Sequence, residues 1–322
     1  MKIKNIRIIL IVTIIIIILS TVACVEDYDL GFNSNDYSVV INGLITNEDG
    51  PYYVRLTKSS PNFTFKESDY FFIDGADPIK GALVIISDNT GVIDTLIPTP
   101  RIVTNYNYQY DSIGNIIDST SYEELYPHSS DFGYYQTTKL HGKAGNTYYL
   151  YISFENKIFE AGCYMPDLPK IDSMKIEEII VKESDGTKGW VPIIYFKEPQ
   201  YEKNYYLFDI GTCHSCWTFS VIDDKLLEEY VNGLNVDDGE HPDWWRVNYP
   251  YGPGFGKITV TMSSLTEKGF NYYRGLINQF NNDGGVYSPS PTSPKTNISN
   301  GGLGFFRASA VNRITREYGI VP

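Results

Sequence analysis

Residues 37–57 read YSVVINGLITNEDGPYYVRLT, two apolar, β-branched and aromatic runs on either side of a turn-forming segment. Residues 37–45 and 52–57 have the composition of strands, and Asp49-Gly50 between them is a frequent hairpin turn. This stretch therefore predicts a β-hairpin at the start of a β-rich domain.

The same rhythm of short strands and turns continues downstream. Strands spaced about every ten residues are typical of a β-sandwich, so residues 37–165 are predicted to form an Ig-like or transthyretin-like domain. Residues 101–136 interrupt the rhythm with a tyrosine-rich excursion, which predicts a solvent-facing hairpin around residues 112–115 or a platform on which a ligand stacks. The further strands are predicted at residues 78–87, 92–97, 137–140, 148–154 and 157–161.

A second β-rich domain, fibronectin-III-like, is predicted over residues 166–322 after the proline-containing linker 166–169. Residues 223–232 have helical spacing and predict a short helix. An amphipathic helix is predicted near residues 264–282, with Ser264 and Glu267 as its capping box. Strands are predicted at residues 171–181, 191–197, 204–210, 217–222, 257–262 and 303–313.

The leader upstream of the first hairpin has the three parts of a signal peptide over residues 1–23: a basic start, an apolar run and small residues. Cys24 follows directly, as in a lipobox, although Thr21 replaces the usual Leu, Val or Ile. Several acyl chains on Cys24, palmitate among them, would anchor the chain, with residues 24–36 as an acidic tether. The alternative is an uncleaved membrane helix, for which the apolar run is shorter than the roughly 18 residues that spanning requires.

The composition excludes one class of partner. Removal of residues 1–23 takes away three basic residues and no acidic ones, so the formal net charge goes from −13 to −16. Nucleic-acid binding needs clustered Lys and Arg, which an acidic chain of this kind does not offer. The aromatic content of 15%, rich in tyrosine, favours β structure and recognition surfaces.

Several phrases together resemble the Bacteroidota lipoprotein family known as domain of unknown function 4249. They are VVINGLIT at 39–46 with GPYYVRL at 50–56, IKGALV at 79–84, GNTYYL at 145–150, NYYLF at 204–208 and NISNGGLGFF at 297–306. The resemblance implies an accessory role beside a TonB-dependent outer-membrane transporter, and it supplies no catalytic residues. Glu26 and Asp27 loosely resemble the signal that exports such lipoproteins, which implies a lipid anchor in the outer membrane facing the cell surface.

The cysteines predict a disulfide in an oxidising compartment. Cys24 is assigned to the lipid, which leaves Cys163, Cys213 and Cys216. Either Cys213 pairs with Cys216 or one of them pairs with Cys163. Residues 217–221 continue as a strand, so the pair lacks the helix N-terminus of a redox motif, and no paired spacing of further ligands indicates a metal.

The aromatic loop at residues 239–256 is the predicted site for a ligand or partner. Adjacent tryptophans on a loop of Gly and Pro suit stacking on a sugar ring or packing against a protein. The alternative is that one ring covers the second core, because neighbouring side chains point to opposite sides. The candidate binding residues are Trp244, Trp245, Tyr249 and Tyr251.

Enzyme signatures and cofactor motifs are absent from the sequence: it has no Gly-x-Ser-x-Gly, no His-Glu-x-x-His and no phosphate-binding loop. The chain is therefore predicted to be a non-enzymatic surface lipoprotein without a cofactor, which binds a ligand or docks on a transporter. Two alternatives remain open, a surface hydrolase of glycan or peptide with paired carboxylates and a structural adhesin or envelope spacer.

Overall fold

The structure is a computed structural model that describes residues 37–59, 76–100, 102–110, 116–125, 128–182, 187–212, 217–236, 256–281 and 294–318. The first half of these residues contains strands β1 Val39–Thr46, β2 Tyr53–Lys58, β3 Leu83–Asp88, β4 Ile93–Thr95, β5 Ile97–Pro98, β6 Ile102–Tyr110, β7 Ile116–Leu125, β8 Tyr134–Gln136, β9 Thr147–Phe154 and β10 Lys157–Tyr164. The second half contains β11 Ile171–Lys182, β12 Thr187–Lys197, β13 Tyr205–Thr212, β14 Trp217–Asp223, β15 Tyr230–Asn235, β16 Gly256–Ser264, helix α1 Glu267–Asn281, β17 Leu303–Ser309 and β18 Val311–Tyr318.

The first hairpin is confirmed, with β1 and β2 paired antiparallel. It belongs to a sheet of order β17-β1-β2-β8-β5, which shares one core with a sheet of order β10-β9-β3-β4. Ile41 and Val54 from the first sheet and Ile86, Tyr148 and Ile152 from the second are fully buried in this core. Apolar residues alternate along these strands, so each strand sends one face inward.

The second half also packs two sheets about one core, with orders β11-β12-β15 and β14-β13-β16-β18. Ile194 and Phe196 of one sheet meet Phe208, Ile258 and Val260 of the other. The chain is therefore mainly β with one α-helix in its described part, as the sequence predicts. The assignment of the two halves to Ig-like, transthyretin-like or fibronectin-III-like types stays a prediction.

Strand β17 leaves the second half of the chain and completes the first sheet. It pairs parallel with β1, with Leu44 opposite Arg307, and Phe306 enters the first core. Asn297 fixes this strand because its side chain accepts from Phe306 N at 3.0 Å and donates to Phe306 O at 2.8 Å. Gly304 has a φ of 86°, and a Cβ there would lie 2.2 Å from Ile41 O, so only glycine fits. The predicted domain boundary at 165/166 stays a prediction.

The prediction of a short helix at residues 223–232 is wrong. A 3-10 turn at Asp224–Leu226 is followed by β15, which pairs antiparallel with β12. Val231 is buried in the second core in this pairing. The tertiary pairing therefore overrides the helical spacing of the local sequence.

The strand expected at residues 137–140 is also absent, because the backbone there binds a side chain instead of a neighbouring strand. The amides of Thr138, Lys139 and Leu140 donate to Asp94 Oδ2 at 2.8, 2.8 and 2.9 Å. Strands β6 and β7 pair antiparallel on either side of residues 111–115, as the hairpin predicted around residues 112–115 requires, and the turn itself lies outside the described residues.

Helix α1 is present where the sequence predicts it, but its cap is a different residue. Thr266 Oγ1 accepts from Gly269 N at 3.2 Å, whereas Ser264 lies at the end of β16. Ser264 Oγ instead donates to Pro166 O at 2.8 Å and accepts from Ala310 N at 3.0 Å. Over the described ranges, no helix has both the length and the apolar character needed to cross a membrane.

Candidate functional site: a cleft between the first sheet and the helix

A cleft of about 450 Å³ opens between the outer face of strands β17, β1 and β2 in the first sheet and helix α1. We call it the helix–sheet cleft. Its volume is within the range of small-molecule sites. Its aromatic lining is Tyr52, Tyr53, His128, Tyr134, Tyr272, Tyr273 and Phe305, and its charged lining is Glu48, Asp49, Arg55, Arg307 and Arg313.

The two faces of β17 explain how an arginine comes to lie in this cleft. Phe306 and Ala308 point into the first core, so the alternating residues Phe305 and Arg307 point to the opposite face, toward α1. The rings of Phe305 and Tyr272 stack with centroids 4.7 Å apart. The helix therefore covers the outer face of β17 and confines its side chains.

Arg307 is a buried cation, and two of its side-chain nitrogens are unpaired within the described part of the chain. Its residue is 9% exposed, and its Nε and Nη1 atoms have no hydrogen-bond partner among the described residues. The guanidinium carbon lies 5.2 Å from the ring centroid of Tyr273, which is a cation–π contact. Burial raises the pKa of nearby Asp209, while the charges of Arg307 and Arg313 act in the opposite direction. Arg307 is thus balanced in part by charge and leaves donors unused.

The other cations of the cleft are held by protein groups. Arg313 Nη2 lies 2.8 Å from Glu48 Oε2 at the rim. Arg55 Nε donates to Phe132 O at 2.9 Å, and its guanidinium lies 5.3 Å from the Tyr134 ring. These contacts position the rim, whereas Arg307 has two buried nitrogens without a hydrogen-bond partner in the described part of the chain.

Stacked rings line the outer part of the cleft. His128 and Tyr53 stack with centroids 4.7 Å apart, and Tyr134 meets the edge of both rings. Burial lowers the pKa of His128, and the charge of Arg55 lowers it further. A neutral imidazole therefore forms part of a flat aromatic wall near neutral pH.

Most residues singled out from the sequence lie outside the described residues. These are the lipidation candidate Cys24, the disulfide candidates Cys213 and Cys216, and the loop residues Trp244, Trp245, Tyr249 and Tyr251. Their roles stay predictions.

Cys163 is described, and it is a buried free thiol. Its Sγ accepts a hydrogen bond from Ala308 N at 3.3 Å, so the thiol helps to hold β17 against β10. Burial raises the pKa of this thiol.

The cleft was missed by sequence reasoning because its walls come from distant segments. One local signal was available: Arg307 interrupts the apolar strand LGFFRAS at residues 303–309. A charged residue in a buried strand has to find a counter-charge or a ligand. Within the described part of the chain, no three His, Cys, Asp or Glu residues are grouped so that they would bind a metal ion.

The profile of the family described as Domain of unknown function (DUF4249) matches residues 25–315. The chain belongs to this family. The match covers both cores and the returning strand β17, so this DUF4249 member carries the helix–sheet cleft within the matched region. Searches of curated proteins and of solved structures find no match.

Proposed function

We propose that this DUF4249 protein is a surface-exposed outer-membrane lipoprotein that binds a ligand as the accessory partner of a TonB-dependent transporter. The helix–sheet cleft carries the proposal, because it combines aromatic walls with a buried arginine whose donors are unused. Concave sites with a few convergent polar groups are typical of ligand binding. The signal peptide and Cys24 support the membrane anchor, and the family resemblance supports the transporter.

Purification of the full chain in gentle detergent, with a tag after Pro322, tests the partnership. The expected result is co-purification of an outer-membrane transporter, identified by mass spectrometry and absent from an untagged control. Recovery of the lipoprotein alone would reject the partnership.

The membrane anchor is tested by Cys24→Ser. This variant is expected to lose incorporation of a palmitate analogue and to leave the membrane fraction. Label that persists in the variant would reject lipidation at Cys24.

Surface exposure is tested separately by Glu26→Ala with Asp27→Ala, which is expected to keep the lipid but to reduce proteolysis of the protein on whole cells. Unchanged proteolysis would reject these residues as the export signal.

A further inference from the structure

We propose that the helix–sheet cleft binds a small organic monoanion whose carboxylate pairs with Arg307 and whose flat body packs on the outer aromatic wall. This inference rests on the proposed ligand-binding function and names its ligand class. It follows from the arrangement of one buried cation, one ring cluster and three carboxylates.

Without a ligand, the buried guanidinium of Arg307 lowers the stability of the fold. Buried donors that lack a hydrogen-bond partner destabilise a fold, and Nε and Nη1 have no such partner among the described residues. A carboxylate matches the charge of the guanidinium and accepts two hydrogen bonds along one of its edges, from Nε and Nη2 or from Nη1 and Nη2. A carboxylate in the cleft would therefore satisfy a group that the protein leaves unsatisfied.

The second step concerns the body of the ligand. The rings of Tyr53 and His128 are nearly parallel, at an interplanar angle of 15°, and Tyr53 and Tyr134 are half-buried on the cleft wall. Flat faces of this kind stack on planar rings and on the apolar faces of sugars. The deep arginine and the outer ring wall together select a ligand with an acidic end and a flat body.

The third step is the charge of the ligand. Asp209 balances part of the charge on Arg307. In the lining of the cleft, Glu48 is paired with Arg313, and Arg55 and Asp49 carry opposite charges, so the fixed charges nearly cancel. One negative charge is therefore enough to neutralise what remains on the guanidinium of Arg307, whereas a dianion such as phosphate would add an excess negative charge beside these carboxylates. The cleft thus favours a carboxylate over a phosphate dianion.

Two sources share this chemistry, aromatic acids and acidic sugars. Isothermal titration calorimetry on the full chain in detergent separates them with benzoate and glucuronate as probes. Benzamide and glucose are the matched neutral probes, and inorganic phosphate is the dianion. At least one acid is expected to bind at least about tenfold more tightly than its neutral partner and than phosphate, because only the monoanion satisfies the guanidinium.

The variants assign this binding to Arg307. Arg307→Gln is expected to weaken binding of the acid about tenfold or more, and Arg307→Lys to weaken it less, because lysine keeps the charge but loses the fork. Arg316→Gln removes the same charge from an exposed position on β18 and is expected to bind as the parent does. If Arg307→Gln does not fold, Arg307→Lys and the neutral probes still show whether the acid binds at Arg307.

Three results would overturn the inference: failure of both acids to bind the parent protein, undiminished binding by the Arg307 variants, or tighter binding of phosphate. These outcomes are independent of the transporter purification. Acid binding without a recovered transporter would reject the partnership and keep the ligand class, and the reverse result would reject the ligand class alone.

Discussion

Asp94 and Arg307 are both buried charged residues, but they differ in how many hydrogen bonds their side chains make. Asp94 is fully buried and accepts four hydrogen bonds, three from backbone amides and one from Thr138 Oγ1 at 2.7 Å. Arg307 is 9% exposed, yet its Nε and Nη1 have no hydrogen-bond partner in the part of the chain described. Asp94 has the contacts of a structural group, whereas Arg307 has unused donors beside a cleft.

The same contrast appears in two adjacent serines. Ser264 Oγ donates to Pro166 O and accepts from Ala310 N, whereas Ser263 Oγ is buried without a partner among the described residues. Among the described residues, the side-chain oxygens of Thr99 and Ser309 are also buried without a hydrogen-bond partner. A saturated buried group stabilises the fold, and an unsaturated one marks a place where stability is given up or a ligand is bound.

The largest effect is expected for Asp94→Asn. The new amide cannot accept from all the donors that the carboxylate satisfies, so the free energy of unfolding is expected to fall by about 3 kcal/mol. Chemical denaturation measures this change. Asp172→Asn, on an exposed position of β11, is the control and is expected to be neutral. Equal stability of the two variants would show that Asp94 is not structural.

Acid pH is expected to reduce the contribution of Asp94 to the free energy of unfolding. Burial alone would raise the pKa of Asp94, but hydrogen bonds from Lys139, Thr138 and Leu140 outweigh it and hold the pKa below its ordinary 3.8. The stabilisation is therefore complete above the unfolded value and is lost as pH falls through the lower folded value.

The measurement is the free energy of unfolding against pH for the parent and Asp94→Asn. The gap between the two curves is expected to be constant at neutral pH and to narrow below about pH 4. Burial raises the pKa of Glu198 and opposes the trend in both proteins, so the comparison cancels it. A gap that widens in acid would contradict the lowered pKa.

Replacement of the two serines by alanine comes next. Ser264→Ala removes two hydrogen bonds and leaves Pro166 O and Ala310 N without them, which is expected to cost about 2 kcal/mol. Ser263→Ala removes an unpaired hydroxyl and is expected to change stability by less than about 0.5 kcal/mol or to increase it. Thermal and chemical unfolding of both variants checks this order, and the reverse order would refute the contrast.

A small effect on stability is also expected for Arg307→Met. Methionine fills a similar volume and removes the unpaired donors, while the cation–π contact with Tyr273 and the charge that partly balances Asp209 are lost. These terms oppose each other, so the change is expected to stay within about 1 kcal/mol. A loss as large as that of Asp94→Asn would make Arg307 a structural residue.

Local patterns predicted much of the fold. The hairpin at residues 37–57 and helix α1 depend on turn chemistry and apolar spacing within short windows, and both are present. The parallel pairing of β17 with β1 was not predicted, because it joins residues far apart in sequence and no local pattern encodes it. Val231 lies in a segment with helical spacing, but it forms part of strand β15 because that segment pairs with the distant strand β12.

The candidate site was predicted less well than the fold. The sequence directed attention to Trp244 and Trp245, which lie outside the described residues. The cleft instead assembles residues of β1, β2, α1 and β17 through that long-range pairing. Its clearest residue in the sequence is Arg307, a charge within an apolar strand, and only the fold shows that its donors are unused.

The most direct test follows the Nε–H resonance of Arg307 by NMR in full-length protein labelled with ¹⁵N-arginine and assigned with Arg307→Lys. Titration with benzoate or glucuronate is expected to shift this resonance saturably as the carboxylate accepts the hydrogen bond, whereas benzamide and glucose leave it in place. A resonance that stays unmoved while either acid binds elsewhere would contradict the account.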